Sequence, residues 1–135
     1  MPATVDEVAA WATALPEVTV GERYGNRSWS VGTKVFAWER AFSKADVKRF
    51  GDDGPPSGPI VAVRTDDLAE KEAVLAEGAK GVFTIPHFNG YAAVLVQLDA
   101  VHKRTLQRLL VDGWLAMAPP DVAEAHLAAK GRRRP

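Results

Sequence analysis

His87 is the residue best placed to do chemistry near neutral pH, because an unperturbed imidazole titrates there and can bind an anion or move a proton. It follows Pro86 and stands beside Phe88, Asn89 and Tyr91, inside a stretch from Phe83 to Leu98 where two apolar runs flank a polar, aromatic turn. The alternative is structural: the ring bonds a backbone carbonyl and fixes the turn. No carboxylate or nucleophile stands next to His87 in sequence to complete a catalytic set. A second group lies upstream, where Arg23, Arg27 and Lys34 are interleaved with Tyr24, Trp29 and Trp38. Such a mixture can pair with phosphates and stack on bases. The competing reading sends tryptophans to the core and charges outside; Trp38 and Trp114 fit apolar faces, while Trp29 and Tyr24 fit either. Arg27, Lys34 and His87 are the candidate cations of one ligand surface, with Asn89, Tyr91, Tyr24 and Trp29 as its other members.

Other chemistries find little support. His102 and His126 make no His-x-x-x-His or His-x-x-Glu spacing, and the chain has no cysteine, which removes thiolate nucleophiles, disulfides and cysteine-ligated metals together. Asp66, Asp67, Glu70 and Glu72 read as charges complementing a helix start rather than as a metal cluster. Nucleophile-elbow, Ser-x-x-Lys, kinase and phosphate-loop patterns are absent. No enzyme activity, metal or cofactor is expected.

These residues must be positioned by short elements. Thr4 and Glu7 form a capping box ahead of Val5, Val8, Ala9, Ala12 and Leu15, which predicts a helix stopped by Pro16. From Val18 to Arg40 the period shifts towards two, predicting two or three antiparallel strands, with Phe36 and Trp38 on one face and Val35 and Ala37 on the other. A short helix can begin at Ser43, before a Gly/Pro-rich loop ending at Pro59. Ile60 to Arg64 predicts a strand and Thr65 to Glu77 a helix. Val82 to Ile85 and Tyr91 to Leu98 predict a hairpin across Pro86 to Gly90, its second strand apolar on both faces and therefore central. Leu106, Leu109, Leu110, Gly113, Trp114 and Met117 then fall on one helical face, and Asp121 caps a last helix to Ala129.

At 135 residues, 47% hydrophobic and 25% charged, the chain has the size and composition of one domain with a real core, residues 1–129, followed by a basic tail, 130–135. Seventeen bases balance seventeen acids, but Lys130, Arg132, Arg133 and Arg134 belong to that tail; without them the body carries −4. This argues against a dedicated nucleic-acid binder. Neither a secretory leader nor a span of about 20 apolar residues is evident, so a cytoplasmic protein with no membrane contact, monomeric by default, is expected.

Three blocks in order, Tyr24-Gly-Asn-Arg-Ser-Trp-Ser-Val-Gly-Thr-Lys-Val-Phe-Ala37, Phe83-Thr-Ile-Pro-His-Phe-Asn-Gly-Tyr91 and Trp114-Leu-Ala-Met-Ala-Pro119, resemble the MmcQ/YjbR family of small bacterial proteins. The resemblance runs from the first helix to about Pro119, although Asp52 to Pro59 is longer than in shorter members. It implies a CyaY/frataxin-like α+β fold: a single antiparallel sheet of five to six strands with helices packed on one face. It brings a family label of DNA binding that rests on structural analogy. The functional expectation is a non-enzymatic binder of an anionic ligand, nucleic acid among the candidates; the alternative is a small-molecule or protein-partner module with an aromatic-lined pocket.

Overall fold

A computed structural model describes residues 2–23 and 25–132. Tyr24, Arg133 and Arg134 lie outside them. Helix α1 (Val5–Thr13) opens on the expected capping box, with the Thr4 hydroxyl accepting from the Glu7 N–H and the Glu7 carboxylate accepting from the Thr4 N–H. Three strands follow, β1 (Val18–Arg23), β2 (Asn26–Val31) and β3 (Lys34–Glu39). Ser43 then caps a short helix, α2 (Lys44–Phe50). Strand β4 (Ile60–Arg64) and helix α3 (Leu68–Ala76) lead to β5 (Val82–Phe83) and β6 (Ala93–Gln97). Helices α4 (Lys103–Met117) and α5 (Pro120–Arg132) complete the chain, α5 running three residues past the expected Ala129.

The strands form one antiparallel sheet in the order β1-β2-β3-β4-β6-β5. The fold is therefore α+β, and β6 lies inside the sheet as its two apolar faces require. One face carries Trp29, Val31, Phe36, Val61, Val63, Val94 and Val96 against Val8 and Ala12 of α1, Val74 of α3, and Leu106, Leu110 and Trp114 of α4. The opposite face holds a second cluster of Trp38, Ile60, Ala62, Ile85, Phe88, Ala93 and Leu95, with Phe42 and Phe50 packed against it. Most helices thus share one face, while short α2 and its flanks shield the other.

Two local departures matter for the site. The β2–β3 register pairs Trp29 with Ala37 but Ser30 with Val35, so Phe36 is the extra residue of a β-bulge. The bulge breaks the alternation expected from sequence and puts Phe36 and Trp38 on opposite faces. The link between β5 and β6 is also longer than a tight hairpin. Pro86–Phe88 forms a 3-10 turn, and Asn89 (φ −59°, ψ 129°) with Gly90 (φ 76°) then makes a type II turn closed by the Tyr91 N–H to Phe88 carbonyl bond at 3.0 Å. The Asn-Gly pair serves a loop, not the two-residue turn of a hairpin.

Helix α4 approaches the sheet closely at Gly113. An added Cβ would lie 2.9 Å from the Arg64 carbonyl oxygen and 2.9 Å from Val63 Cγ1. Helix propensity favours alanine over glycine by about 1 kcal/mol, whereas overpacking costs about 1–3 kcal/mol. Gly113→Ala is therefore expected to lower stability in urea unfolding; a gain in stability would show that α4 can move off the sheet freely.

Candidate functional site

The second face of the sheet is only partly covered, and an open groove of about 780 Å³ remains over it. Trp38 forms its floor, residues 39–43 leading into α2 form one side, and the loop bearing His87, Phe88 and Tyr91 forms the other. The rings make a connected set: Trp38 lies 6.4 Å from Phe88 and 6.3 Å from Tyr91, and Phe88 meets Tyr91 edge to face at 5.6 Å. Such offset and edge contacts are the favoured aromatic geometries. Tyr91 is 37% exposed and His87 and Asn89 are exposed, so part of this set faces solvent.

Arginines frame the rings. The Arg40 guanidinium carbon sits 5.7 Å from the Phe88 ring centre, and that of Arg64 sits 4.7 Å from the Tyr91 ring centre, both within cation–π range. Arg64 also donates to the Tyr91 hydroxyl at 3.1 Å and, through Nε, to the Ala92 carbonyl at 3.1 Å. Arg40 pairs with buried Asp46 at 2.9 Å, and the Asp46 carboxylate also accepts from the Ser43 N–H. Burial raises the Asp46 pKa, but the Ser43 N–H and hydroxyl and Arg40 outweigh it and hold the group below the ordinary carboxylate value. On the far side, Lys71 of α3 is buried beneath the loop and donates to the carbonyls of Phe88 at 2.6 Å and Tyr91 at 2.8 Å. Burial pulls its pKa down, opposed by the nearby Glu72 carboxylate.

The sequence-derived surface separates under this geometry. His87 and Tyr91 line the groove and Asn89 shares their loop, but Arg27 and Lys34 do not line it. Arg27 is bound by Glu39, which accepts from its N–H at 2.9 Å and Nε at 3.3 Å, and by Asp6 of α1 at 3.1 Å. Lys34 lies exposed at the start of β3, paired in register with Val31. Trp29 is fully buried in the helix-side core, which removes it from any ligand surface. Tyr24 falls outside the described residues. Trp114 is core as expected, its indole N–H donating to the Pro16 carbonyl at 3.0 Å. The His87 ring makes no hydrogen bond with a described residue; the turn is tied by Lys71 and Arg64. Arg40, Arg64, Phe42 and Lys71 escaped sequence reasoning. The one signal for Lys71 was its place three residues before Val74 on the buried stripe of α3.

Among the described residues, no three His, Cys, Asp or Glu side chains cluster in a way that could hold a metal ion. None of the described helices is long and apolar enough to cross a membrane.

The architecture defines an α+β protein of one six-stranded antiparallel sheet, and it is shared with a crystal structure of Deinococcus radiodurans protein DR2400, a DUF419 domain. The TM-score is 0.60 over 96% of this chain and 88% of that one, at 19% identity, a likeness of fold. No family model matches. In sequence the chain is 41% identical over 132 residues to uncharacterized protein Rv2570 of Mycobacterium tuberculosis (strain H37Rv) and equally to uncharacterized protein Mb2600 of Mycobacterium bovis, covering 96% of this chain and 99% of each relative. The chain belongs to the family of these mycobacterial proteins.

Asp46→Asn should free Arg40 and weaken the entry into α2, lowering stability near neutral pH by about 1–3 kcal/mol. Because the folded pKa of Asp46 is depressed, its contribution is present above the unfolded carboxylate pKa and is lost as pH falls through the folded value. Urea unfolding of wild type and variant should therefore converge in acid; a difference that stays constant with pH would remove the charge from the account.

Proposed function

We propose that the protein is a non-enzymatic, cytoplasmic binding protein of the MmcQ/YjbR type, with a CyaY-like fold, whose groove takes a small ligand combining a flat ring with an anionic group. The observation that carries the reading is the connected set Trp38, Phe88 and Tyr91, which lines the groove and reaches solvent at Tyr91, beside exposed His87 and the Arg40 guanidinium. Ligand sites are typically concave and largely apolar, with a few polar groups that set orientation. The rings offer edge contacts for a planar group, exposed His87 offers a ring nitrogen at one rim, and the Arg40 guanidinium, held by Asp46 and the Ala41 carbonyl, sets positive charge beside them. Of the Arg27, Lys34 and His87 expected from sequence, His87 lines the groove with Arg40, whereas Arg27 and Lys34 lie off it.

A second reading is supported by the Arg64–Tyr91 pair, since a guanidinium beside an exposed aromatic ring is an arrangement on which a nucleotide base can stack. On that reading the ligand is single-stranded nucleic acid. Retarded migration of a labelled oligonucleotide at low salt, relieved by added salt, is its expected signature; unretarded DNA and RNA would dismiss it.

For the leading reading, thermal unfolding should be screened against aromatic carboxylates and mononucleotides. A ligand that binds only the native state at 100 times its Kd adds about 2.7 kcal/mol and raises the melting temperature. His87→Ala should keep the wild-type melting temperature without ligand, yet weaken the best anionic ligand about tenfold, which corresponds to about 1.4 kcal/mol. If no compound of either class shifts the wild-type transition, the proposal fails.

A further inference from the structure

Lys71 occupies a position on α3 that its neighbours mark as core: it is 6% exposed and stands one turn before buried Val74. Its ammonium has no carboxylate within ion-pair distance among the described residues. A buried charge without a counter-ion is unfavourable unless its hydrogen bonds are well made. Satisfying the loop backbone does not account for it. The Phe88 carbonyl already accepts from the Tyr91 N–H at 3.0 Å, and the Tyr91 carbonyl accepts from the Ala93 N–H at 2.8 Å.

What the two ammonium bonds add is position. They draw both ends of the Phe88–Tyr91 turn onto α3, and that turn carries two of the groove's rings. We propose that Lys71 is the positioning residue of the groove: by bridging the Phe88 and Tyr91 carbonyls from behind, it fixes those rings as a wall. Ligand affinity then depends on a side chain that does not line the groove. The inference rests on the groove being the binding site. Arg64 gives the same segment a second hold through the Ala92 carbonyl and the Tyr91 hydroxyl.

Lys71→Met keeps the length and apolar stem of the side chain and removes its donors. Hydrogen exchange followed by mass spectrometry should then show residues 85–92 exchanging at least tenfold faster, with β3, β4 and α4 unchanged. The Kd of the aromatic carboxylate or nucleotide selected on wild type should rise at least tenfold, and Lys71→Arg should recover part of it. Unchanged loop exchange overturns the proposal, as does a looser loop with unaltered affinity. Should wild type bind no compound in the screen, the groove reading falls, and loop exchange alone decides whether Lys71 holds the turn. If Lys71→Met does not fold, acetylation of wild type answers instead: Lys71 should label far more slowly than exposed Lys34, and equal rates would overturn the buried bridge.

Discussion

Everything distinctive in this fold follows from two strands that are apolar on both sides. In β4 and β6 the first four residues of each are buried, so neither face of the sheet can be left to water. The longest helix, α4, and capped α1 cover one face, joined by Val74 of α3. Among the described residues, the other face receives only α2, a 3-10 turn and a set of aromatic side chains. That cover is thinner and does not close, and the groove lies where it stops. The candidate site is therefore a by-product of burial: the rings that line it are there first to shield Ala62 and Leu95.

Charge follows a similar logic. Arg27 joins α1 to β3 through Asp6 and Glu39, Lys103 joins α4 to α1 through Glu7, and Arg108 joins α4 to Glu77 after α3. Exposed pairs of this kind contribute only about 0–1 kcal/mol each, so their role is orientation more than stability. They also explain how a cation such as Arg27, next to aromatics in sequence, comes to be occupied by partners 12 and 21 residues away.

Local signals were legible in the sequence because their causes are local. The Thr4–Glu7 capping box, the start of a short helix at Ser43 and the apolar face of α4 all lie within a few residues and appear as expected. The strand order was inaccessible, since inserting β6 between β4 and β5 depends on pairs as distant in sequence as Ile60 and Gln97. The site was half legible for the same reason. His87, Asn89 and Tyr91 are neighbours in sequence and stay together, whereas Lys71, Arg64 and Arg40 arrive from separate elements. Trp38 fitted an apolar face and Trp29 either reading, and pairing decides between them: Trp29 stands opposite Ala37 in the helix-side core, whereas Trp38, one residue on and opposite Ser28, forms the groove floor.

The bulge between β2 and β3 also sets how relatives are to be aligned. Strand β3 has a phase, and the extra residue at Phe36 advances it by half a period, so the residues on either side are read in different frames. A homologue lacking that one residue would run in regular alternation, Val35 and Trp38 keeping the groove face and Ala37 the helix face, and only the core phenylalanine would be lost. A single gap belongs at Phe36 itself; set anywhere else in the strand it would pair core positions of one relative with groove positions of another.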